Sequence, residues 1–404
     1  MKRKPRLAVI SPFLDKSHGT ERIVAEWISH LADKFEIHVY SQDVEDLDLS
    51  RIVWHRIPKL PGPHLLNFVW WFAANHLWRG CDRLLRGLRC DLTYSPGANC
   101  LDADVISVHI VFGEYVSRVK DQLRFSQNPV AEWPRLLHRR LYYRLVVFLE
   151  RRAYTNPGTQ LFGISRRVGA LLDQLYGRRD PIPVLYTGID HGTFNPQKSA
   201  LLREEARKKI GIARKRFAVL VIGNDWRNKG VPVLVQAAAM LKDLPVDLLV
   251  VSRESIAIRQ ELAREFGLAG VVHVLPPRKD VEFYYAAADA YAGPSLEDAF
   301  ALPPAEAMAC GLPVIVSAAA GVSEIVTNGT DGLILEDPKN VSVLAGMIRR
   351  LYEDREFRER LGQKAAETAR KYTWESNGRE LADIFKEVLR RKARVADQTV
   401  TQEL

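Results

Sequence analysis

The chain of 404 residues is longer than one hydrophobic core usually requires, so two domains of roughly 150–200 residues each are expected. Hydrophobic residues make up 47% and charged residues 26%, which excludes a disordered chain except at the C-terminal end. The net charge of +9 is uneven, because residues 1–200 hold 28 Lys+Arg against 20 Asp+Glu and residues 201–404 hold 30 against 29. The basic half therefore predicts an anionic partner: a phosphorylated acceptor, a membrane surface or a nucleic acid.

Cysteine spacing and hydropathy indicate the cellular compartment in which the protein works. The four cysteines lie far apart with no C-x-x-C pair, which excludes a zinc site or a disulfide framework and predicts a reducing, cytoplasmic setting. The N-terminal MKRKPRLAVISPFL is interpreted as a buried strand and not as a signal peptide, because Pro12 interrupts its apolar run. The longest apolar stretch, residues 65–78, is shorter than the about 20 residues of a membrane-spanning helix, so none is predicted.

Predicted strands and helices alternate along the chain. The first half contains RLAVISPF, a helix from about Glu21 to Asp33, FEIHVYS, DLTYSP, DVISVHIV and TQLFGIS. The second half contains FAVLVIGN, VDLLVVS, VVHVLPP, AYAGPS and PVIVSA, with helices starting at Val231, Ser255, Val281 and Pro303. Buried strands separated by helices predict an α/β chain of two parallel doubly wound sheets, joined near Pro196. Ligands of such sheets lie beyond the carboxyl ends of the strands.

Two acids occur in GPSLEDAFALPPAEAMACGLP, residues 293–313, at a predicted strand–turn–helix. Pro304 suits a first helical turn, where unpaired backbone N–H groups and the helix dipole favour a phosphate. Glu306, just inside the helix, can accept the paired hydroxyls of a ribose or sugar, and Asp298 at the rim of the loop can hold a second set. The alternative is a surface loop with two solvated acids.

The acid-x7-Glu pattern followed by AMACGLPV resembles the signature of retaining nucleotide-sugar glycosyltransferases of the GT-B type, family four. The resemblance implies two Rossmann-like domains facing across a cleft, with a C-terminal helix crossing back to the N-terminal domain. It implies that Asp298 contacts the donor hexose, with Glu297 as the alternative, and that Glu306 contacts the ribose. Ala301 replaces a usual glycine. The amides implied to hold the diphosphate are those of Phe300, Ala301 and Leu302.

The stretch VIGNDWRNKG resembles the family's Gly-Arg-x-x-x-x-Lys-Gly loop, whose cations contact the donor diphosphate. Gly223 begins this loop and Lys229 falls on its lysine. Asn224 stands where the arginine is usual, so Arg227 is the predicted replacement; an ordinary solvated loop is the alternative for Arg227. A cationic pair suits the chemistry, because negative charge grows on the diphosphate as its bond to the sugar breaks.

Two segments of the N-terminal half resemble further parts of the family. DKSHGTERIV resembles the Gly-Gly-x-Glu-Arg loop that closes on the donor phosphates and the acceptor, with Gly19 kept and His18 replacing the other glycine. A predicted strand ends at His109, where the family often has a histidine at the donor sugar; a satisfied core histidine is the alternative. Asp102 and Asp104 form a D-x-D pair, but GT-B enzymes do not depend on that metal site, so no metal is predicted.

Residues 115–152 carry nine Lys+Arg against three acids, interleaved with aromatic residues and leucines. On a helix this pattern is typical of a segment that lies on an anionic membrane. An amphipathic helix packing on its own domain is the alternative. The loop GNDWRNKG also resembles that of lipopolysaccharide-core glucosyltransferases, and together these features predict a cytoplasmic enzyme, peripheral on the inner face of the cytoplasmic membrane.

The resemblance as a whole implies a retaining, metal-independent hexosyltransferase. Its co-substrate would be a UDP- or GDP-linked sugar with no further cofactor, and its acceptor a lipid-linked, lipopolysaccharide or other saccharide. The expected domains are 1–196 with a crossover helix over 374–395 for the acceptor, 197–373 for the nucleotide sugar, and a flexible tail over 396–404. The alternatives are a sugar-nucleotide epimerase of the same architecture and a non-catalytic basic binder of membranes or nucleic acid. The phosphate-loop motifs argue against a nucleic-acid partner.

Overall fold

The computed structural model describes residues 3–16, 19–254 and 271–402. The chain divides into unit 1, Met1–Tyr186 with Trp374–Leu404, and unit 2, Thr187–Thr373. The last helix, Trp374–Gln402, therefore belongs to unit 1 although it follows unit 2 in the chain. Because this helix continues through Gln402, most of the segment expected to be a flexible tail is helical.

The boundary between the units lies after Tyr186, earlier than the position 196 expected from the sequence. Ile189 forms a parallel bridge with Thr373 at the other end of unit 2. The N–H of Ile189 donates to the carbonyl of Tyr372 at 3.1 Å. These contacts tie the first residues after Tyr186 to unit 2.

The sheet of unit 1 has six parallel strands. They are β1 (Arg6–Ile10), β3 (Glu36–Ser41), β5 (Ile52–Arg56), β6 (Leu92–Pro96), β7 (Val105–Val108) and β8 (Gln160–Gly163). Their order across the sheet is β5-β3-β1-β6-β7-β8. Two short strands, β2 (Phe13–Leu14) and β4 (Asp43–Val44), form a separate parallel pair. The central strand β1 is buried almost throughout, because helices cover both faces of a doubly wound sheet.

Unit 2 repeats this topology with six further parallel strands. They are β9 (Phe217–Ile222), β10 (Val246–Val251), β11 (Val272–Leu275), β12 (Ala290–Gly293), β13 (Val314–Ser317) and β14 (Leu333–Leu335). Their order is β11-β10-β9-β12-β13-β14, so the direction of winding reverses between β9 and β12. Ligands of doubly wound sheets bind beyond the strand ends at such a reversal. The loops after β9 and β12 are therefore where a ligand of unit 2 is expected.

The helices lie between these strands. Unit 1 contains α1 (Gly19–Leu31), α2 (His64–Leu85), α3 (Phe112–Val119), α4 (Trp133–Tyr154) and α5 (Arg166–Tyr176). Unit 2 contains α6 (Pro196–Ile210), α7 (Val231–Ala239), α8 (Glu282–Ala287), α9 (Leu302–Ala309), α10 (Val341–Glu353) and α11 (Arg355–Ala369). The last helix, α12 (Trp374–Gln402), contacts α1. Among the described helices, none combines the length and apolar composition needed to cross a bilayer.

The predicted helix starts in unit 2 agree with the structure where they can be compared. Helix α7 begins at Val231 as predicted, and α8 and α9 begin within one residue of the predicted positions. The helix predicted from Ser255 lies outside the described residues. The strand predicted to end at His109 ends one residue earlier, at Val108.

A buried hydrogen-bonded chain fixes α2 on the sheet of unit 1. Nδ1 of His38 on β3 lies 3.0 Å from Nε2 of His55 on β5. Nδ1 of His55 lies 2.7 Å from the carboxylate of Asp82 on α2, which also accepts the hydroxyl of Tyr40 at 2.9 Å. Burial lowers the pKa of His55 and outweighs the opposing effect of Asp82. The buried side of α2 therefore combines polar contacts with apolar packing by Trp71 and Ala74.

Candidate functional site

The loop between β9 and α7 carries the predicted diphosphate lysine. A Cβ atom at Gly223 would lie 2.5 Å from Cγ of Lys229, so glycine leaves room for the lysine side chain to run along the loop. That side chain is only 21% exposed, and its ammonium forms an ion pair with Asp298. The fold thus brings the lysine predicted for the diphosphate into contact with the acid predicted for the sugar.

Backbone contacts join the two loops at the reversal of the unit 2 sheet. The side-chain amide of Asn228 donates to the carbonyl of Glu297 at 2.8 Å, and the N–H of Leu296 donates to the carbonyl of Asn228 at 2.7 Å. Gly230 has φ of +74° and lies so close to the carbonyl of Pro294 that a Cβ atom would collide with it. These contacts hold the lysine loop and the acid loop together.

The two residues considered for the second cation lie differently. Asn224 is exposed, and its side-chain oxygen accepts the backbone N–H of Arg253 at 3.3 Å. The guanidinium of Arg227 is exposed and lies 4.7 Å from the centre of the buried Trp226 ring. Asn224 therefore shapes the loop after β10, and Arg227 stays the predicted second cation.

Asp298 is held by its own loop as well as by Lys229. Its Oδ1 accepts the backbone N–H of Phe300 at 3.3 Å. Its N–H donates to the carbonyl of Ala319 at 3.2 Å, and its carbonyl accepts the N–H of Gly321 at 3.0 Å. An ionised carboxylate has about four acceptor positions, so Asp298 has capacity for a sugar hydroxyl beyond these contacts.

The start of α9 offers fewer N–H donors than an ordinary helix start. Pro303 and Pro304 occupy its first turn and carry no N–H. The N–H of Phe300 already donates to Asp298. Of the three amides predicted to contact phosphate, that of Phe300 therefore already has a partner in its own loop, and the phosphate contact stays a prediction for all three.

Ala301 has φ of +71°, a left-handed conformation that costs a residue with a Cβ atom about 1 kcal/mol or more. Replacing Ala301 with glycine, the residue usual in the family, should raise the free energy of unfolding by about 1 kcal/mol. Chemical denaturation measures this change. Ala299→Gly is the matched control, because Ala299 has no such φ and its replacement should destabilise. Equal changes in the two variants would contradict the expectation.

Glu306, the predicted ribose contact, lies in α9 with only 4% of its surface exposed. Its Oε2 accepts the hydroxyl of Tyr285 from α8 at 2.7 Å. Burial raises the pKa of Tyr285 well above its ordinary value, and the neighbouring Glu306 adds to this, so the phenol remains a donor. Tyr285 thereby fixes the orientation of the Glu306 carboxylate.

In unit 1, His109 directly follows β7 and is 5% exposed. Its Nε2 lies 2.9 Å from Oγ of Ser107, and its ring lies 5.6 Å from that of Trp27. Within the part of the chain that the structure describes, its Nδ1 has no hydrogen-bond partner. Burial lowers the pKa of His109 to about 3, so the ring is neutral at physiological pH.

The depressed pKa of His109 makes stability depend on pH. Below about pH 6.5 the unfolded chain binds a proton on this ring and the folded chain does not, so the free energy of unfolding falls as pH drops from 6.5 towards 3. The contribution should be up to about 1.4 kcal/mol per pH unit. Denaturation of the wild type and of His109→Asn across this range measures it as the difference in slope. Identical slopes would contradict the assignment.

Glu150 fixes the chain just beyond His109. Its carboxylate, 1% exposed, accepts the N–H of Phe112 at 2.8 Å and that of Gly113 at 3.0 Å, and it also accepts the hydroxyl of Tyr176. Burial raises the pKa of Glu150, although these donors oppose the rise. The start of α3 is thus capped by a side chain from α4.

Both acids of the D-x-D pair accept hydrogen bonds from other residues of unit 1. Asp102 accepts two hydrogen bonds from Arg79, at 2.7 and 2.8 Å. Asp104 accepts the N–H of Thr93 and the ammonium of Lys392, both at 2.8 Å. Among the described residues, no group of three or more His, Cys, Asp or Glu side chains is arranged to hold a metal ion.

The glycine-containing loop after β1 is described only in part. Gly19 begins α1, and among the described residues nothing lies within 4 Å of the position that a Cβ atom would take there. Packing among the described residues therefore does not require glycine at position 19. His18 lies outside the described residues.

The basic segment 115–152 comprises the end of α3, three short 3-10 turns and α4. Helix α4 buries part of its apolar residues against unit 1 and exposes others between arginines. The exposed large apolar residues of α4 are Trp133, Leu137, Leu141 and Phe148. One side of α4 thus packs on its own unit, and the other side exposes apolar residues between arginines.

Residues 203–368 match the family described as Glycosyl transferases group 1. This part of the chain is thus similar to group 1 glycosyltransferases. The resemblance found in the sequence is thereby confirmed, and the matched part holds both loops at the reversal of the unit 2 sheet.

Curated relatives of this chain include two called D-inositol 3-phosphate glycosyltransferase. That of Nocardioides sp. is 33% identical over 51% of this chain and 48% of its own length. That of Corynebacterium kroppenstedtii is 32% identical over 52% and 49%. The chain thus spans about half the length of the curated relatives it matches.

Solved structures resemble almost the whole chain. WaaG, a glycosyltransferase involved in lipopolysaccharide biosynthesis, has a TM-score of 0.76 at 21% identity, covering 94% of this chain and 99% of its own. HepE of Anabaena, solved with UDP-glucose, has a TM-score of 0.70 at 20% identity, with coverages of 94% and 99%. At such identities the likeness concerns the fold, and it confirms the predicted GT-B fold class.

Proposed function

We propose that the protein is a retaining, metal-independent hexosyltransferase that moves a sugar from a nucleotide diphosphate to a lipid-linked, lipopolysaccharide or polysaccharide acceptor. The observation that carries the proposal is the contact between Lys229 and Asp298 at the reversal of the unit 2 sheet. Both residues lie within 203–368, the part of the chain that matches group 1 glycosyltransferases. The involvement of WaaG in lipopolysaccharide biosynthesis supports that class of acceptor, and UDP-glucose in HepE supports a UDP-linked donor, with GDP as the other base.

The donor would lie across the two loops. The Lys229 ammonium has three N–H donors, so it can keep Asp298 and still contact the diphosphate. The amides of Ala301 and Leu302 would bind the same diphosphate. Glu306, oriented by Tyr285, would accept the ribose hydroxyls. Asp298, or Glu297 beside it, would hold the sugar.

Transfer would require no protein side chain as general base. The bond between the anomeric carbon and the diphosphate oxygen breaks while the acceptor oxygen bonds to that carbon on the same face. The acceptor proton passes to the departing diphosphate, which leaves as a nucleoside diphosphate. Lys229 and Arg227 would stabilise the charge that grows on the diphosphate.

Unit 1 would bind the acceptor. His109, predicted to contact the donor sugar, has a neutral ring at the end of β7 and a buried Nδ1 without a partner among the described residues, which suits a hydrogen bond to a hydroxyl of that sugar. The exposed apolar residues and arginines of α4 would place the enzyme on an anionic membrane, at the inner face of the cytoplasmic membrane. Nucleic acid is not proposed as a partner.

The test is release of nucleoside diphosphate from a panel of UDP- and GDP-sugars, with and without saccharide and glycolipid acceptors. Release that depends on an acceptor, together with a product that keeps the anomeric configuration of the donor, is the expected result. Unchanged turnover in EDTA is expected because Lys229 supplies the cation at the diphosphate. Conversion of the donor without any acceptor would indicate an epimerase, and no reaction with any donor would indicate a non-catalytic binder.

A further inference from the structure

Helix α2 carries large apolar residues on the side that faces solvent as well as on the side that it buries, unlike an ordinary surface helix, whose outward side is polar. Besides Leu85 at its last position, its exposed large apolar residues follow spacings of three, eight and seven positions, which place them on one side of the helix. They are between 46% and 84% exposed. These residues are Leu66, Val69, Leu77 and Leu84. The residues that α2 buries are Trp71, Ala74, Asn75 and Asp82.

The buried polar residues keep α2 in this orientation. Asp82 accepts the hydroxyl of Tyr40 and contacts His55. The side-chain amide of Asn75 donates to the carbonyl of Asn99 at 3.2 Å. Turning the leucines inward would leave these buried groups without partners, which costs about 1–3 kcal/mol for each group. The apolar side therefore stays in solvent until something outside the unit covers it.

Helix α4 lies next to α2 on the same face of the sheet. The connections from β5 to β6 and from β7 to β8 cross the sheet in the same direction, and right-handed crossovers place both helices on one face. The ring of Tyr142 on α4 lies 5.3 Å from that of Phe68 and 4.7 Å from that of His64. The outward sides of the two helices thus form one surface, the α2–α4 face. Its apolar members are Leu66, Val69, Leu77, Leu84, Trp133, Leu137, Leu141 and Phe148.

The exposed charged residues within the two helices of the α2–α4 face are all basic. The two helices contain a single acid each, Asp82 and Glu150, and these are 5% and 1% exposed. The exposed arginines are Arg83, Arg135, Arg140, Arg144, Arg151 and Arg152. A second copy of the same face would bring arginines against arginines, which disfavours self-association. An anionic bilayer offers hydrocarbon for the leucines and negative charge for the arginines.

We propose that α2 is the apolar half of a two-helix membrane-docking face, with α4 as its basic half. The inference rests on the proposed membrane association of residues 115–152 and adds a separate helix, 30 or more residues earlier in the chain, to it. Leu66, Val69 and Leu77 enter the interfacial layer of an anionic bilayer beside Trp133 and Phe148. Because α2 contributes mainly apolar contacts, its part of the binding resists salt, whereas the arginines of α4 are screened.

Cosedimentation of the full chain with phosphatidylcholine vesicles, with and without phosphatidylglycerol, tests the proposal at low and high salt. The double variant Leu66→Ser/Leu77→Ser should lower partitioning onto anionic vesicles by about tenfold or more at both salt concentrations. Leu137→Ser/Phe148→Ser should do the same. Leu201→Ser is the matched control, because Leu201 is 84% exposed on α6 in unit 2, and it should leave partitioning unchanged. All variants should unfold at the wild-type temperature, since the changed side chains are exposed.

Three outcomes would overturn the proposal. If only the α4 variant loses binding, α2 has no part in docking and the association through residues 115–152 stands. If the wild type binds neither vesicle, both membrane proposals fail, while release of nucleoside diphosphate in solution still tests glycosyl transfer separately. If sedimentation shows a wild-type dimer that Leu66→Ser/Leu77→Ser converts to a monomer without affecting vesicle binding, the face binds a second copy and not a membrane.

Discussion

Replacing Lys229 with alanine should lower turnover by about tenfold or more, on the scale of about 2–4 kcal/mol for a lost oxyanion partner. The reason is that this ammonium, fixed along the loop by the absence of a side chain at Gly223, would otherwise stabilise the departing diphosphate. Steady-state release of nucleoside diphosphate at saturating donor measures the effect.

Two further variants separate catalysis from structure. Lys198→Ala removes another lysine ion pair of unit 2, with Glu282 at 2.9 Å, and should leave turnover unchanged. Asp298→Asn removes the charge partner of Lys229 but keeps the ammonium. If Lys229→Ala turns over at the wild-type rate and loses only stability, Lys229 is a structural ion-pair partner and has no part in the reaction.

Gly230→Ala should lower the free energy of unfolding by about 3 kcal/mol or more. The substitution places a Cβ atom in a left-handed conformation and against the carbonyl of Pro294, so strain and collision add. Gly329→Ala is the matched control, because Gly329 has a similar φ of +78° with nothing within 4 Å of its Cβ position. Its expected loss is about 1 kcal/mol.

Denaturation of the two glycine variants, followed by a probe of unit 2, gives the comparison. Both variants share the conformational strain of a left-handed residue. The difference between their free energies of unfolding therefore measures the close approach of the two loops at Gly230. Equal losses would mean that the loop after β9 can move away from Pro294, and the two loops would then be less firmly joined than the structure indicates.

The alternation of buried strands and helices predicted the two doubly wound sheets, because strands buried on both faces leave an apolar pattern that is visible in sequence. Helix α6 is not among the helices that the sequence pattern predicts. Its inward side uses Arg207, which bonds Asp289 at 3.0 Å, in place of an apolar stripe. Its ends were nevertheless signalled by the Asn195 cap and by Gly211 with φ of +85°.

The sequence predicts the site residues that belong to a local motif. It does not predict those that reach the site through tertiary contacts. Lys229, Asp298 and Glu306 follow from short patterns in the sequence. Tyr285 was missed, because its contact with Glu306 joins two helices and leaves no signal in local spacing. Asn228 was missed for the same reason, since its partner Glu297 belongs to another loop.

Helix α2 shows how buried polar contacts help to select one orientation of a helix that is apolar on more than one side. Turning Leu66 and Leu77 towards the sheet would bring Trp71, now 1% exposed, into solvent. It would also leave Tyr40 and His55 in the core without Asp82, so polar and apolar contacts favour the same orientation. This packing leaves exposed apolar residues on the solvent side of α2. They are a permanent feature of the folded protein and not a folding error.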